Sequence, residues 1–383
     1  MPPTQEPPAG VPPGRTRRLR RPALALLAIA AIAAGGYFGG KALFGTNEAT
    51  PTAAPAPPAI VVHRSQSEPT TAAAVGFPAF ATKDTTRVGG ADPAADAAGV
   101  ALAVYPSTGG VPGPAAVTLV PDDSWQAGVA AASLVAAPVS APILISGHDS
   151  VPSLTADALS AMAPTGSPAT DRKQLLVIGG AQAPSGATSA SVDAPDPARL
   201  AVGIATLRQK LVNAPPQHLL LVSSQAPSYA MPAAAWAARS GDPVLYVDKS
   251  GVPSATLAAL KRYAGIPVYL LAPPAVVTDK TLQAIRKVNP QAVRISGPDP
   301  VSSAIAFARY SDGSFGWDIN DPGHGFVVAS TTRPLDAAAA APLSASGTWG
   351  PLLVTDTAGA LPVALRNYFL DLKPGYTDDP TRA

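Results

Sequence analysis

The side chains best suited to catalysis are sparse in this 383-residue sequence, and their spacing matches no catalytic pattern. The chain has no cysteine, which excludes thiol catalysis and cysteine-bound zinc. The four histidines, His63, His148, His218 and His324, lie far apart along the chain. No G-x-S-x-G elbow, P-loop or G-x-G-x-x-G motif occurs. We therefore expect a protein that is not an enzyme and that needs no cofactor or metal.

One acidic stretch could hold a cation. Residues 311–323 contain Asp312, Asp318, Asn320 and Asp321, and clustered oxygen ligands suit calcium. Their spacing fits no EF-hand loop, so we favour an ordinary turn-rich insertion.

The same order of signals recurs three times along the chain. Asp92, Asp196 and Asp299 are each followed by proline, and they are 104 and 103 residues apart. Aspartate accepts hydrogen bonds from the free N–H groups of a helix start, and proline fits the first helical position. We therefore interpret the three aspartates as helix N-caps with a structural role.

Apolar strands and alanine-rich helices alternate after each start. The helical runs begin at Trp125, Met231 and Leu335. The predicted strands are residues 116–120, 141–146 and 175–180, then 219–223, 242–247 and 267–273, then 326–330 and 350–355. Short apolar strands between helices are typical of parallel sheets covered on both faces. The sequence thus predicts an α/β fold of three tandem Rossmann-like, three-layer repeats with parallel sheets.

The third copy lacks its last strand. After residue 372 the chain contains no further apolar run. Either a neighbouring element completes this copy, or the sequence is part of a longer one. An open parallel edge is a poor terminus, which favours the second alternative.

The N-terminus has the pattern of a membrane anchor. Residues 15–21 contain five arginines, and the eighteen residues from Ala23 to Gly40 carry no charge. Such a run is nearly long enough to cross a hydrocarbon core of about 30 Å, and three more uncharged residues can extend it. The positive-inside rule places residues 1–22 in the cytoplasm. A cleaved signal peptide looks similar, but the long polar lead favours an uncleaved single-pass signal anchor at residues 23–44.

The exported part divides by composition and charge. Residues 45–82 are rich in proline, alanine and threonine and predict a disordered linker. The copies, residues 83–190, 191–292 and 293–383, carry formal charges of −4, +5 and −3. The basic middle copy could attract an acidic polymer. Solvated helix faces are the simpler explanation for its basic residues Arg208, Lys210, Lys261, Arg262, Arg286 and Lys287.

Parallel sheets bind ligands outside the carboxyl ends of their strands. The loops expected there contain six polar side chains that we take as ligand-binding candidates: Asp122, Asp123, His148, Lys249, Arg333 and Asp336.

In several of these motifs the chain resembles the cell wall-binding repeat 2 family of Gram-positive surface proteins. The matching stretches are RVGGAD (87–92), RISGPD (294–299), LDAAAAAP (335–342), APILI (141–145) and VIGG (177–180). The arginine that usually follows the opening aspartate is replaced by Pro93, Pro197 and Pro300. The alanine- and proline-rich composition is similar to that of high-GC actinobacterial proteins.

The resemblance implies a compact ring of three repeats that anchors non-covalently to an anionic wall polymer. We therefore expect a membrane-anchored, extracytoplasmic cell wall-binding protein that contacts no nucleic acid. The alternative is a cell-envelope scaffold that holds a protein partner through the same repeats. An envelope hydrolase is a third possibility, which the missing catalytic motifs disfavour.

Overall fold

The computed structural model describes residues 80–81, 85–105, 113–345 and 350–373. The predicted anchor, residues 23–44, and nearly all of the linker lie outside the described residues. Within the described part, no helix is long and apolar enough to cross a membrane.

Twelve strands and ten α-helices alternate through the described part of the chain. The strands are β1 (Phe80–Ala81), β2 (Thr86–Arg87), β3 (Val117–Pro121), β4 (Ile143–Ser146), β5 (Leu175–Ile178), β6 (Ser189–Val192), β7 (Leu219–Ser223), β8 (Val244–Val247), β9 (Val268–Leu270), β10 (Val293–Arg294), β11 (Val327–Ser330) and β12 (Leu352–Thr355). The helices are α1 (Pro93–Val104), α2 (Trp125–Ala131), α3 (Ser153–Met162), α4 (Pro197–Val212), α5 (Pro227–Ser240), α6 (Ser254–Arg262), α7 (Asp279–Arg286), α8 (Pro300–Arg309), α9 (Asp336–Ala345) and α10 (Val363–Leu372).

The order helix–strand–helix–strand–helix occurs in residues 93–162, 197–262 and 300–372, which we call the first, second and third segments. The first sheet has the strand order β4-β3-β5-β6, and the second has the matching order β8-β7-β9-β10. All neighbours in these two sheets are parallel. The predicted α/β class with parallel sheets is therefore confirmed.

The third sheet is smaller. It consists of β11 and β12, which are parallel, while β1 and β2 form a separate antiparallel pair. Among the described residues, no third strand joins β11 and β12.

Five elements were not predicted: β1, β2, β6, β10 and α7. Strand β6 has the sequence SASV and alternates between exposed and half-buried positions, so it lacks the apolar run by which buried strands are recognised. It also spans the predicted boundary between residues 190 and 191. Strand β6 pairs with β5, and β10 pairs with β9. Each full sheet is therefore extended by a strand that immediately precedes the next helix start.

The helix starts show why the Asp-Pro pairs recur. The side chain of Asp92 accepts a hydrogen bond from the N–H of Ala95 at 2.9 Å. Asp196 and Asp299 accept equivalent bonds at 2.9 and 2.8 Å from the N–H groups three residues later. Each cap satisfies one of the N–H groups that a helix start leaves without an intrahelical partner.

The helices that follow the first strand of each segment meet one another. Helices α2, α5 and α9 are in mutual contact, and their buried residues are mostly alanine. A Cβ added to Gly128 in α2 would lie 2.7 Å from the Cβ of Ala338 in α9. The helices approach this closely because their facing side chains are so small.

The opening helix of each segment completes a cyclic arrangement. Helix α4 packs on β8 of its own segment and on α2 of the first segment. Helix α8 packs likewise on β12 and on α5 of the second segment, and α1 packs on β4 and on α9 of the third. The contact between α1 and α9 joins the last segment to the first.

Gly128 provides a test of the close contact between α2 and α9. In an exposed helix interior, Gly→Ala stabilises by about 1 kcal/mol. We expect Gly128→Ala to lower the free energy of unfolding by about 1–3 kcal/mol instead, because the new methyl group overpacks the interface. Chemical denaturation measures this difference.

The matched control is Gly359→Ala, because a Cβ at Gly359 meets no atom within 4 Å. The effect of Gly359→Ala on the free energy of unfolding should stay below about 1 kcal/mol. Adding Ala338→Gly to the Gly128→Ala variant should restore part of the lost stability. A stabilised Gly128→Ala variant would contradict the packing described here.

Candidate functional site

The loops at the carboxyl ends of the parallel strands bring some of the predicted polar residues together. His148 follows β4. Its Nε2 is 3.1 Å from a carboxylate oxygen of Asp123, and its Nδ1 is 3.0 Å from the carbonyl oxygen of Gly180. The Gly180 carbonyl and the Asp123 carboxylate raise the pKa of His148 above its usual range, and nearby Asp122 adds to the rise. This group is exposed, and both ring nitrogens of His148 are engaged within it.

Arg333 and Asp336 form a second cluster, which lies between the third and first segments. The guanidinium Nε of Arg333 is 3.0 Å from Asp336, and a second nitrogen of Arg333 bonds to Asp96 in α1. Burial, and then the neighbouring Asp96 carboxylate, raise the pKa of Asp336 to about 7. The two predicted candidates are therefore occupied in joining α9 to α1.

Asp96 was missed by the sequence reasoning, although a signal for it exists. Asp96 and Ser303 occupy the same position, four residues after the caps Asp92 and Asp299. Asp96 accepts from the N–H of Gly90 at 2.6 Å, and Ser303 accepts from the N–H of Gly297 at 3.0 Å. In both segments, the polar side chain at this position therefore holds the residues that connect the strand to the helix.

Lys249, the candidate from the second segment, is exposed. It lies in a tight turn in which Asp248 accepts hydrogen bonds from the N–H groups of Ser250 and Gly251, at 2.8 and 2.9 Å. Beside this turn is a cavity of about 260 Å³, whose polar lining includes Asp196, Arg199, Ser224, Tyr246, Asp248 and Ser254.

The cavity beside Lys249 lies near a contact between the first two segments. Gln126 donates to the carbonyl oxygen of Ser224 at 3.1 Å, and the hydroxyl of Tyr246 donates to the carbonyl oxygen of Gln126 at 2.7 Å. Polar groups of the first and second segments therefore meet beside this cavity.

Arg208 was expected on a solvated helix face, and that expectation is wrong. It is buried, and its guanidinium donates to the carbonyl oxygens of Gly241, Ala136 and Ala137 at 2.8, 3.2 and 3.0 Å. Burial lowers its pKa to about 10. Arg208 therefore joins α4 to the chain that follows α2 in the first segment, and it is not available to a ligand.

His218 has a structural environment. Its Nδ1 is 3.0 Å from Asp242, which also accepts from the indole N–H of Trp236 at 2.8 Å. Burial raises the pKa of Asp242, but the hydrogen bonds from His218 and Trp236 outweigh this and hold it below its usual range. All three side chains are buried.

The acidic insertion is a turn. Asp312 accepts from the N–H groups of Ser314 and Phe315 and from the hydroxyl of Tyr269. These bonds position Phe315, whose ring stacks on Tyr269 with centroids 3.7 Å apart. Throughout the described ranges, no three histidine, aspartate or glutamate side chains form a group that could hold a metal.

Two solved structures share this fold. Cwp6 from Clostridium difficile has a TM-score of 0.60 and 16% sequence identity, covering 82% of this chain and 47% of its own. Cwp8 from Clostridium difficile has a TM-score of 0.59 and 21% identity, covering 74% of this chain and 47% of its own. The chain therefore spans about half the length of each. No family model and no curated protein matches the sequence, so the repeat-family resemblance stays a prediction.

The role of Arg208 can be tested by its removal. Arg208→Met keeps most of the apolar stem but leaves the buried carbonyl groups of Gly241 and Ala136, and the part-buried one of Ala137, without their donor. We expect the free energy of unfolding to fall by at least about 2 kcal/mol. The control is Arg199→Met, which removes an exposed ion pair with Asp196 at 3.1 Å and should cost less than about 1 kcal/mol. Equal effects would refute the bridging role.

Asp336 should make stability depend on pH. Because the pKa of Asp336 rises from 3.8 to about 7 on folding, the folded chain binds more protons than the unfolded chain between these values. Stability should therefore decline as pH rises through this window. Asp336→Asn should flatten the decline in Tm between pH 5 and 8.

Asp356→Asn, in an exposed loop, makes the same change of charge and is the control for this pH profile. It should leave the profile of the unmodified chain in place. If Tm depended on pH in the Asp336→Asn variant as it does in the unmodified chain, the raised pKa of Asp336 in this cluster would be contradicted.

Proposed function

We propose that this protein is a non-enzymatic, extracytoplasmic cell wall-binding protein. In this proposal the three segments are copies of one repeat, and together they hold an anionic wall polymer or glycan. Residues 23–44 tether them to the cell membrane as a single-pass anchor, and residues 45–82 serve as the linker.

The observation that carries the proposal is the shared fold. Cwp6 and Cwp8 are cell wall proteins, and the likeness extends over 82% and 74% of this chain. Because fold alone does not determine function, the binding surface has to be argued from this chain's own residues.

The charge of the second copy, residues 191–292, supports an anionic ligand. Of its basic side chains, Arg208 is buried, Arg262 bonds to Gln209, and Arg286 donates to the carbonyl of Ala292. Lys261 and Lys287 are exposed, as are Lys249 and Lys280. Mobile ammonium groups on the surface suit a flexible polyanion, which needs charge more than fixed geometry.

The polar groups at the carboxyl ends supply a second kind of contact. Glycans are bound by hydrogen bonds from side chains in shallow grooves, and the surface that includes Asp196, Arg199 and Asp248 has this character. The exposed pair His148 and Asp123 is a further donor and acceptor group. We therefore propose that exposed lysines of the second copy, residues 191–292, attract the polymer, and that polar groups at the carboxyl ends of the strands hydrogen-bond to it.

The proposal predicts retention on isolated cell walls. The full chain, purified in detergent, should sediment with walls at low salt and be released as salt rises, because salt screens exposed charges. Walls stripped of anionic polymer should retain far less. The double variant Lys261→Glu/Lys287→Glu should lower retention by about tenfold.

The matched control is Arg366→Glu/Lys373→Glu, which changes the charge equally on the third segment at exposed positions. It should lower retention less than about twofold. Retention that ignores salt, polymer removal and both variants would overturn the polymer-binding proposal. Crosslinking in cells that recovered one stoichiometric envelope protein and no glycan would favour the scaffold alternative.

A further inference from the structure

The first and second sheets place their third strand in the middle. Strand β5 lies between β3 and β6, and β9 lies between β7 and β10. The outer strands β6 and β10 directly precede the helix caps Asp196 and Asp299. In both sheets the third strand therefore joins one segment to the strand that leads into the next.

In the third segment, β11 corresponds to β3 and β7, and β2 corresponds to β6 and β10. Among the described residues, no strand corresponds to β5 and β9. Strand β2 directly precedes the cap Asp92, as β6 and β10 precede theirs. A cavity of about 360 Å³ is lined by residues of β2 and by all of β11. Within the described residues, β12 is the strand that pairs with β11. The cavity thus lies where β5 and β9 lie in the other two sheets.

The surfaces around this cavity are those that a strand would cover. Strands β3 and β7 are buried along their whole length, whereas Val328 in β11 is 44% exposed. The apolar part of the lining includes Val100 of α1 and Ala340 and Leu343 of α9. Val328 combines an exposed apolar side chain with a sheet edge, a feature that natural proteins normally cover.

We propose that residues 59–62 of this chain, Ala-Ile-Val-Val, occupy the cavity as a strand parallel to β11. β-branched residues favour strands, and these four are uncharged, unlike the polar chain after residue 373. This inference concerns the chain's own assembly and does not depend on wall binding.

The spacing along the chain supports this occupant. In the second sheet, Val268, the first residue of β9, precedes the cap Asp299 by 31 residues, and Val61 precedes the cap Asp92 by the same number. In the first sheet, Leu175 of β5 precedes Asp196 by 21 residues, a spacing that leads to Thr71 and the alanine-rich stretch after it, which has fewer β-branched residues than 59–62. Residues 271–292 connect β9 to β10, a stretch of 22 residues. Residues 63–85 would connect the new strand to β2 with 23, whereas residues 179–188 connect β5 to β6 with 10.

Charge at one end of the cavity agrees with the proposed direction. A strand parallel to β11 runs towards the carboxyl end of the sheet, where Asp96 and Asp336 form their cluster with Arg333. His63 and Arg64 follow the proposed strand in the sequence. The direction therefore brings a basic pair towards two carboxylates.

Cysteine pairs test the proposal directly, because the chain has no cysteine of its own. Val328→Cys is combined with Ile60→Cys, Val61→Cys or Val62→Cys in the full chain, and the membranes are oxidised. Neighbouring strands place Cα atoms about 5 Å apart, within disulfide range. Because side chains alternate between faces, we expect intramolecular disulfides at alternate positions, about tenfold above the position between them.

Ala73→Cys with Val328→Cys is the linker control, and Val61→Cys with Val363→Cys is the control outside the cavity, since Val363 is exposed on α10. Neither should crosslink above background. Uniform crosslinking at residues 60–62, none at all, or disulfide-linked dimers would overturn the proposal.

A second readout needs no disulfide. Val61→Asp should lower the Tm by several degrees, because it places a charge in an apolar slot, and Ala73→Asp should not. Val328→Cys should also react faster with a maleimide in the Val61→Asp background. A Val328→Cys thiol that stays equally protected in both backgrounds would show that another strand fills the cavity, and would contradict the assignment to residues 59–62.

Discussion

The structure depends on the close contact of three alanine-rich helices, α2, α5 and α9. Each comes from a different segment, and each presents small side chains to the other two. An alanine methyl buries little apolar area by itself, so the stabilisation comes from many close contacts between helix surfaces. No segment can bury its own middle helix without the other two. The segments are therefore parts of one core, although each has its own sheet.

A core of small apolar groups fixes contact distance but gives little information about which segment docks on which. A few polar groups at the junctions carry that information. Arg208 joins the second segment to the first through the backbone carbonyls of Ala136 and Ala137. Arg333 joins the third to the first through Asp96. We take these charged groups as devices for correct pairing, a role that buried polar groups have in some proteins.

Much of this fold could be predicted because its strands are short apolar runs with clear boundaries. The Asp-Pro starts also mark helices by a local mechanism, which needs no tertiary contact. Strands β6 and β10 could not be found this way, because they are short, partly exposed and defined by pairing with a preceding strand. Arg208 and Asp96 were missed for a related reason: a charged residue on a helix predicts a solvated face unless its partner in another segment is known.

For the candidate site, the sequence located the loops but not what each side chain does there. Arg333 and Asp336 lie at the predicted strand ends, yet they pair with Asp96. His148 and Lys249 remain at the surface, where a wall polymer could reach them. A sheet edge tells where a ligand could bind, and the side-chain partners decide which groups are left to bind it.

Native-state hydrogen exchange can establish whether the three segments share one core. If they do, the most protected amides of α2, α5 and α9 exchange with one common free energy. That value equals the global free energy of unfolding and shifts equally in all three helices with denaturant. Different exchange free energies for the three helices, with one segment opening while the other two stay protected, would show that the segments do not share one core.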